Sequence, residues 1–156
     1  MSLAIGDNAP NFHLSDQEGN KHSLTDYAGQ WVLLYFYPKD DTPGCTTEAC
    51  TIRDSWSEFK EAGVVVLGIS TDSVKSHKKF AEKYELPFPL LADEQKEVVK
   101  AYGVWGPKKF MGREFLGTKR WSFLIKPDGT ITKIYEDVKP AEHAREVLAD
   151  VQKADD

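Results

Sequence analysis

The chain has few cysteines, scattered histidines and no long run of apolar residues. Cysteine occurs twice among 156 residues, which is too few for the disulfide framework of a small secreted domain. The longest apolar runs, 31–37 and 64–69, are far too short to span a bilayer. The four histidines lack the spacing of metal ligands. These shortages predict a protein with no metal site and no membrane span.

Basic residues are not in excess either. The net charge is −5, and residues of both signs are interspersed, whereas nucleic-acid-binding and membrane-binding surfaces need clustered Lys and Arg. We therefore expect neither nucleic acid nor membrane as a partner. Residues 1–10 also lack the charged and then apolar pattern of a secretory signal. Together these features favour a cytoplasmic protein.

Strand-like and helix-like patterns alternate along the chain, which predicts one α/β domain over residues 1–156. Two βα units followed by a hairpin and a last helix predict a central mixed β-sheet flanked by helices on both faces. Residues 103–119 are predicted to form a long loop. The other predicted elements are an N-terminal β-hairpin (12–14 and 21–23), strands at 31–37, 64–70, 90–92, 121–126 and 130–135, and helices at 45–62, 73–84, 94–102 and 140–151.

The most informative segment is Pro38–Cys50, which follows the first buried strand and contains both cysteines. A helix that starts at Cys45 directs its free N–H groups and its positive dipole end at the sulfur, which favours a thiolate. Chemistry in such sheets gathers beyond the carboxyl ends of the parallel strands. Cys45 is therefore a candidate nucleophile.

Three neighbours of Cys45 fit the same chemistry. Thr42 can hydrogen-bond the sulfur or an oxygen bound to it, Pro38 stiffens the turn, and Cys50 is close enough in sequence to trap an oxidised Cys45. Each residue alone is also typical of an ordinary turn and helix start. Their combination favours a reactive site.

A disulfide between Cys45 and Cys50 would demand a change of shape. Residues five apart on an ideal helix have Cα atoms ~8.6 Å apart, whereas a disulfide tolerates about 7 Å at most. The two cysteines can therefore bond only if the helix unwinds locally.

The pattern Pro38-x-x-x-Thr42-x-x-Cys45 resembles the active-site motif of peroxiredoxins, and the longer run 37–50 is similar to the bacterioferritin comigratory protein (peroxiredoxin Q) subfamily. The resemblance covers nearly the whole chain, with further matching segments at 6–12, 68–72, 102–106, 120–125 and 128–129. It implies a thioredoxin-like fold, a monomer, and a thiol peroxidase that reduces peroxides without metal, haem or flavin.

The resemblance also implies roles for the two cysteines. Cys45 would be the peroxidatic cysteine, which attacks the peroxide and becomes a sulfenic acid. Cys50 would be the resolving cysteine, which forms an intramolecular disulfide with Cys45. Thioredoxin or a related dithiol reductant would then reduce that disulfide.

The remaining matched residues would support Cys45. Pro38 would shield the thiolate and Thr42 would bind the peroxide. Arg120 would stabilise the negative charge of the sulfur and of the leaving oxygen. Glu48 would orient an arginine.

Other interpretations stay open at this point. Aromatic side chains of residues 103–119 would either wall an apolar approach to Cys45, which suits organic hydroperoxides, or simply pack on the core. A thiol–disulfide oxidoreductase on the same fold would typically use Cys-x-x-Cys, a spacing that this chain lacks. A redox sensor, in which oxidation of the two cysteines switches a helix, is a further alternative and is compatible with peroxidase activity.

Overall fold

A computed structural model of the chain describes residues 3–155, with all their side chains except those of Phe110 and Asp155. Over that range the chain forms a seven-stranded sheet, a separate two-stranded sheet, a short 3-10 helix (Leu24–Tyr27) and five α-helices. The strands are β1 (His13–Ser15), β2 (Lys21–Ser23), β3 (Trp31–Phe36), β4 (Val64–Ser70), β5 (Leu90–Ala92), β6 (Trp105–Phe110), β7 (Arg113–Thr118), β8 (Ser122–Ile125) and β9 (Ile131–Tyr135). The helices are α1 (Pro43–Asp54), α2 (Trp56–Glu61), α3 (Val74–Tyr84), α4 (Glu97–Ala101) and α5 (His143–Asp155).

The large sheet is mixed, with the strand order β2-β1-β5-β4-β3-β8-β9. Strands β3, β4 and β5 are parallel, and β8 pairs antiparallel with β3. The predicted N-terminal hairpin is confirmed, because β1 pairs antiparallel with β2. The carboxyl ends of three parallel strands therefore meet at one edge of the sheet.

Side chains of β3 alternate between two apolar cores, as expected for a strand that is covered on both faces. Leu33 and Tyr35 belong to the core that α1, α2, α3 and α5 cover. Val32 and Leu34 belong to the core on the opposite face, which α4 covers. The prediction of helices on both faces is thus confirmed.

The prediction of a long loop at residues 103–119 is wrong, because these residues form the hairpin of β6 and β7. Met111 and Gly112 are its two turn residues, and both have positive φ, 52° and 80°. Two positive φ angles are typical of a type I′ turn, which sequences usually mark with Asn-Gly or Asp-Gly. The turn here is Met-Gly, which is not a typical hairpin sequence, and β6 contains Pro107, a residue that is uncommon in strands. The sequence therefore did not predict this hairpin.

The helix predicted at residues 45–62 is two helices. α1 begins at Pro43, two residues before Cys45, and ends at Asp54. Ser55 separates it from α2, which begins at Trp56. The bend lets Trp56 pack against Phe88 with ring centroids 5.8 Å apart.

The other predicted helices lie where expected but with shifted ends. α3 begins after Ser73, whose hydroxyl accepts the Ser76 N–H at 3.1 Å. The helix predicted at 94–102 is shortened to α4, whose N-cap Lys96 has a left-handed backbone conformation. The helix predicted at 140–151 is shifted to α5. Within residues 3–155 there is no helix of the length and apolarity that a membrane crossing requires.

Candidate active site

The site begins where residues 37–42 lead from the carboxyl end of β3 into α1. Pro43 opens the helix, where a missing N–H removes no intrahelical bond. The Thr42 side chain makes no capping hydrogen bond to the first turn. The N–H groups of Gly44 and Cys45, which have no intrahelical partner, therefore present the positive end of the helix to the space before α1.

Cys45 is buried in the first turn of α1, with 1% of its surface exposed. Nη2 of Arg120 donates a hydrogen bond to its Sγ at 3.3 Å. Arg120 lies just before β8, next to the central strand β3, so the sheet topology brings the two residues together across 75 positions of sequence. A guanidinium bond of this kind stabilises a sulfur that carries negative charge.

The other end of the guanidinium binds Glu48. Nη1 of Arg120 donates to Oε1 of Glu48 at 3.1 Å, and Glu48 is wholly buried. Burial raises the pKa of Glu48 to about 7, although the charge and hydrogen bond of Arg120 oppose that rise. Burial by itself would lower the pKa of Arg120, but the negative charges of Cys45 and Glu48 outweigh burial, and the pKa is raised. The arginine thus keeps its charge while it bridges the sulfur and the carboxylate.

Gly44 leaves the space that this arginine occupies. A Cβ atom at position 44 would lie 2.8 Å from Nη2 of Arg120, a separation at which one of the two groups must move. The guanidinium can reach the sulfur from this side because residue 44 has no side chain.

Thr42 and Pro38 lie in the loop but are not bonded to the sulfur. Both are half-buried, and the Thr42 hydroxyl donates to the Lys39 carbonyl oxygen at 2.9 Å. The Thr42 hydroxyl proton is therefore engaged with the loop backbone, and the hydroxyl oxygen can still accept a hydrogen bond from another group. Thr42 is the matched residue whose predicted contact with Cys45 is not made in this state.

Cys50 lies in the same helix as Cys45 and is half-buried; both thiols are free. Because α1 is continuous from Pro43 to Asp54, the two cysteines are held too far apart to bond. This arrangement matches the expectation that a disulfide requires local unwinding.

The hairpin β6–β7 adds a residue that the sequence did not reveal. Nζ of Lys108 donates to the Thr118 carbonyl oxygen at 3.0 Å. Burial and the charge of Arg120 lower the pKa of Lys108, and the negative charge of Cys45 opposes that effect. The segment that was expected to be a loop thus contributes a lysine whose ammonium group is held by its own hairpin.

Of the two alternatives for the aromatic side chains of residues 103–119, packing on the core is the one observed for Trp105. Met111 at the hairpin tip is 88% exposed, and Phe115 is about half exposed at 48%. Trp105 packs against the core opposite α1, and the side chain of Phe110 lies outside the described residues. Met111 thus faces solvent.

A group of three residues in the described part of the chain has the spacing of metal ligands. Ligand atoms of Asp40, Asp72 and His77 lie within 4.8 Å of one another. Oδ2 of Asp40 faces Nδ1 of His77 at 2.7 Å, and Oδ2 of Asp72 accepts the Asp40 N–H at 2.8 Å. Hydrogen bonds thus account for the cluster.

Sequence comparisons show the family to which the chain belongs. The AhpC/TSA family profile matches residues 5–134. Peroxiredoxin Bcp of Escherichia coli is 52% identical over 146 residues, which cover 94% of each protein. Peroxiredoxin Bcp of Bacillus subtilis is 45% identical over 148 residues, which cover 95% of this chain and 94% of that protein.

Solved structures show the same thioredoxin-like fold. A mutant of Xylella fastidiosa PrxQ matches with a TM-score of 0.94 and 36% identity, over 100% of this chain and 99% of that one. The bacterioferritin comigratory protein of Xanthomonas campestris, studied for its alkyl peroxide reduction, matches with a TM-score of 0.88 and 39% identity. That match covers 93% of this chain and 92% of the other. The chain therefore belongs to the AhpC/TSA family, as a peroxiredoxin of the Bcp or peroxiredoxin Q group.

Proposed function

We propose that Cys45 is the peroxidatic cysteine and Arg120 its principal electrostatic partner. The contact between Arg120 and the Cys45 sulfur is the observation that carries this proposal, because it joins a buried thiol to a fixed cation at a helix N-terminus. Thiol–disulfide exchange would not require Arg120 to be held beside the sulfur by the buried carboxylate of Glu48. Glu48 orients the guanidinium.

In the first step the Cys45 thiolate attacks the terminal oxygen of a hydroperoxide. The S–O bond forms as the O–O bond breaks, so the sulfur loses two electrons and the leaving oxygen takes them with a proton as water or alcohol. Arg120 and the N–H groups of Gly44 and Cys45 stabilise the charge on the oxygens. Thr42 binds the peroxide and Pro38 shields the sulfur from water.

In the second step Cys50 resolves the sulfenic acid. Its sulfur attacks the oxidised sulfur of Cys45, water leaves, and an intramolecular disulfide forms after α1 unwinds. Thioredoxin or a similar dithiol protein then exchanges its thiols with the disulfide and restores both cysteines.

We infer that this cycle serves antioxidant defence in the cytoplasm, in a monomer that needs no cofactor. One thioredoxin-like domain over residues 1–156 carries it. Two observations support the single domain: the family profile spans most of the chain, and all five helices flank one large sheet. Hydrogen peroxide and organic hydroperoxides are the proposed substrates.

Consumption of peroxide by single-cysteine variants tests this proposal. Cys45→Ser should abolish peroxide consumption, because the nucleophile is gone. Cys50→Ser should still consume the first equivalent of peroxide yet lose turnover with thioredoxin. Turnover by Cys45→Ser would remove Cys45 from its role, and normal thioredoxin-coupled turnover by Cys50→Ser would remove Cys50 from its role.

A further inference from the structure

A buried polar cluster lies beside the active-site loop and takes no part in the steps above. His77 on α3 is fully buried. Its Nε2 lies 3.0 Å from the Leu91 carbonyl oxygen and its Nδ1 lies 2.7 Å from Oδ2 of Asp40. A carbonyl oxygen only accepts, so Nε2 carries a proton. The other ring nitrogen and the carboxylate of Asp40 hold a further proton between them.

The carboxylate of Asp40 receives two more hydrogen bonds. The Tyr37 hydroxyl donates to Oδ1 at 2.6 Å, and the Ser76 hydroxyl donates to Oδ2 at 2.8 Å. Asp40 itself is 6% exposed. A buried carboxylate with three donors is stable only while those donors are in place, and the loss of one leaves a costly unpaired group.

Asp40 belongs to the loop that carries Pro38 and Thr42. Its backbone N–H donates to Oδ2 of Asp72 at 2.8 Å. The next residue, Asp41, has a left-handed backbone with φ of 55°, and its carboxylate accepts hydrogen bonds from α3. The loop is thus fastened to α3 and to the turn that precedes α3, and neither Asp40 nor Asp41 bonds to α1.

We propose that His77 is a positioning residue that acts through Asp40 to hold the peroxide-binding loop against Cys45. The proposal rests on the proposed function, since it assigns a role to the loop in peroxide binding. Because the anchor is on α3, it keeps the loop in place while α1 unwinds and refolds in each cycle. His77 never touches the peroxide.

The test compares two electrophiles on the reduced protein by rapid mixing. Hydrogen peroxide needs the loop, whereas iodoacetamide needs only the Cys45 thiolate. In His77→Leu the rate constant for oxidation by hydrogen peroxide should fall by at least about tenfold, since small misplacements of binding groups are costly. The rate constant for alkylation of Cys45 by iodoacetamide should not fall, because the thiolate keeps Arg120 and the helix N-terminus and a looser loop only exposes the sulfur further.

Two further variants complete the design. His77→Gln keeps one donor for Asp40 or Leu91 and should recover part of the peroxide rate; it also serves if His77→Leu does not fold. Val99→Ala removes buried apolar volume on the opposite face of the sheet and should lower the unfolding midpoint without changing either rate constant.

Equal losses with both electrophiles, or no loss with peroxide in a folded His77 variant, would overturn the proposal. Absence of Cys45-dependent peroxide consumption in the unmodified protein would instead overturn the proposed function.

Discussion

The guanidinium of Arg120 donates from Nη2 to the Cys45 sulfur and from Nη1 to the Glu48 carboxylate. Each contact alone is ordinary, but together they fix the direction of the positive charge. Gly44 allows this approach because any larger residue would occupy the position of Nη2. At the residue scale, we therefore expect the reactivity of Cys45 to depend on the absence of a side chain at residue 44 as much as on the presence of Arg120.

Gly44→Ala tests that dependence. The added methyl group displaces Nη2 from the sulfur, so the rate constant for oxidation of Cys45 by peroxide should fall about ten- to a hundredfold. The free energy of unfolding should change by less than about 1 kcal/mol, because alanine suits a helix and the arginine is flexible. Stopped-flow oxidation and denaturant unfolding measure the two effects.

Gly106→Ala is the matched control, because a Cβ there meets nothing closer than 3.7 Å. An unchanged peroxide rate in Gly44→Ala would mean that the contact between Arg120 and the sulfur does not control the reaction.

The sequence pointed to Cys45, Cys50 and Arg120 as candidates, because a local motif and a matched late strand carry them. It did not point to Lys108, because Lys108 lies on a hairpin that no turn residue announced. Nor did it show why residue 44 is a glycine, because Arg120 approaches that position only in the folded chain. Contacts between distant segments were the part that the sequence could not supply.

At the scale of elements, the proposed cycle requires α1 to be stable before oxidation of Cys45 and to unwind when the disulfide forms. Its carboxyl half is tied to the rest of the protein. The Thr51 hydroxyl donates to the Pro140 carbonyl oxygen at 3.2 Å, and Nη1 of Arg53 donates to the Tyr84 carbonyl oxygen at 2.7 Å. In the first two turns, by contrast, the ties are the hydrogen bonds that Arg120 donates to Cys45 and Glu48. Conversion of the Cys45 thiolate into a disulfide removes the negative charge that strengthens the first of them.

Formation of the disulfide should therefore unwind α1 only up to about residue 50. Hydrogen exchange should accelerate in residues 45–50, and far-UV circular dichroism should lose helical signal, while amides beyond Arg53 keep their protection. Mass spectrometry of exchanged, peroxide-treated protein checks this. Cys50→Ser cannot form the bond and should show no such change. A disulfide-bonded protein with the exchange pattern of the reduced form would contradict the account.

The helices and the central sheet were predictable as elements, because the helices repeat apolar residues every three or four positions and the buried strands are short continuous apolar runs. The division of residues 43–61 into α1 and α2 was not. The apolar spacing continues across Ser55, although the backbone of Ser55 (φ −102°, ψ 13°) ends α1 and Trp56 beyond it packs on Phe88. The β6–β7 hairpin was missed for the opposite reason, since it has little buried surface to produce a pattern.

At the scale of the whole molecule, burial of Glu48 makes stability depend on pH. Its pKa is about 7 in the folded protein and 4.5 in its ordinary state. Between these values the folded protein binds a proton that the unfolded chain has released. The contribution of Glu48 to the free energy of unfolding is therefore greatest below about pH 4.5 and falls as pH rises to about 7. Burial lowers the pKa of His143. Because protonation of His143 favours the unfolded chain, its contribution to the free energy of unfolding rises with pH.

Glu48→Gln isolates the carboxylate. As pH rises from about 5 to about 8, the parent should lose stability relative to Glu48→Gln. The change in the difference between their free energies of unfolding should be up to about 3 kcal/mol. Denaturant unfolding of both reduced proteins at the two pH values measures it. His143 and the other groups cancel in the difference. If the difference is the same at both pH values, Glu48 does not titrate in this window.

The most direct test of the two-cysteine cycle is the mass of the reduced protein after one equivalent of hydrogen peroxide, followed by peptide mapping. The account predicts a loss of two hydrogens in a peptide that links Cys45 to Cys50. An unchanged mass, or an oxygen added to Cys50 while Cys45 stays reduced, would contradict the assignment of Cys45 as the peroxidatic cysteine.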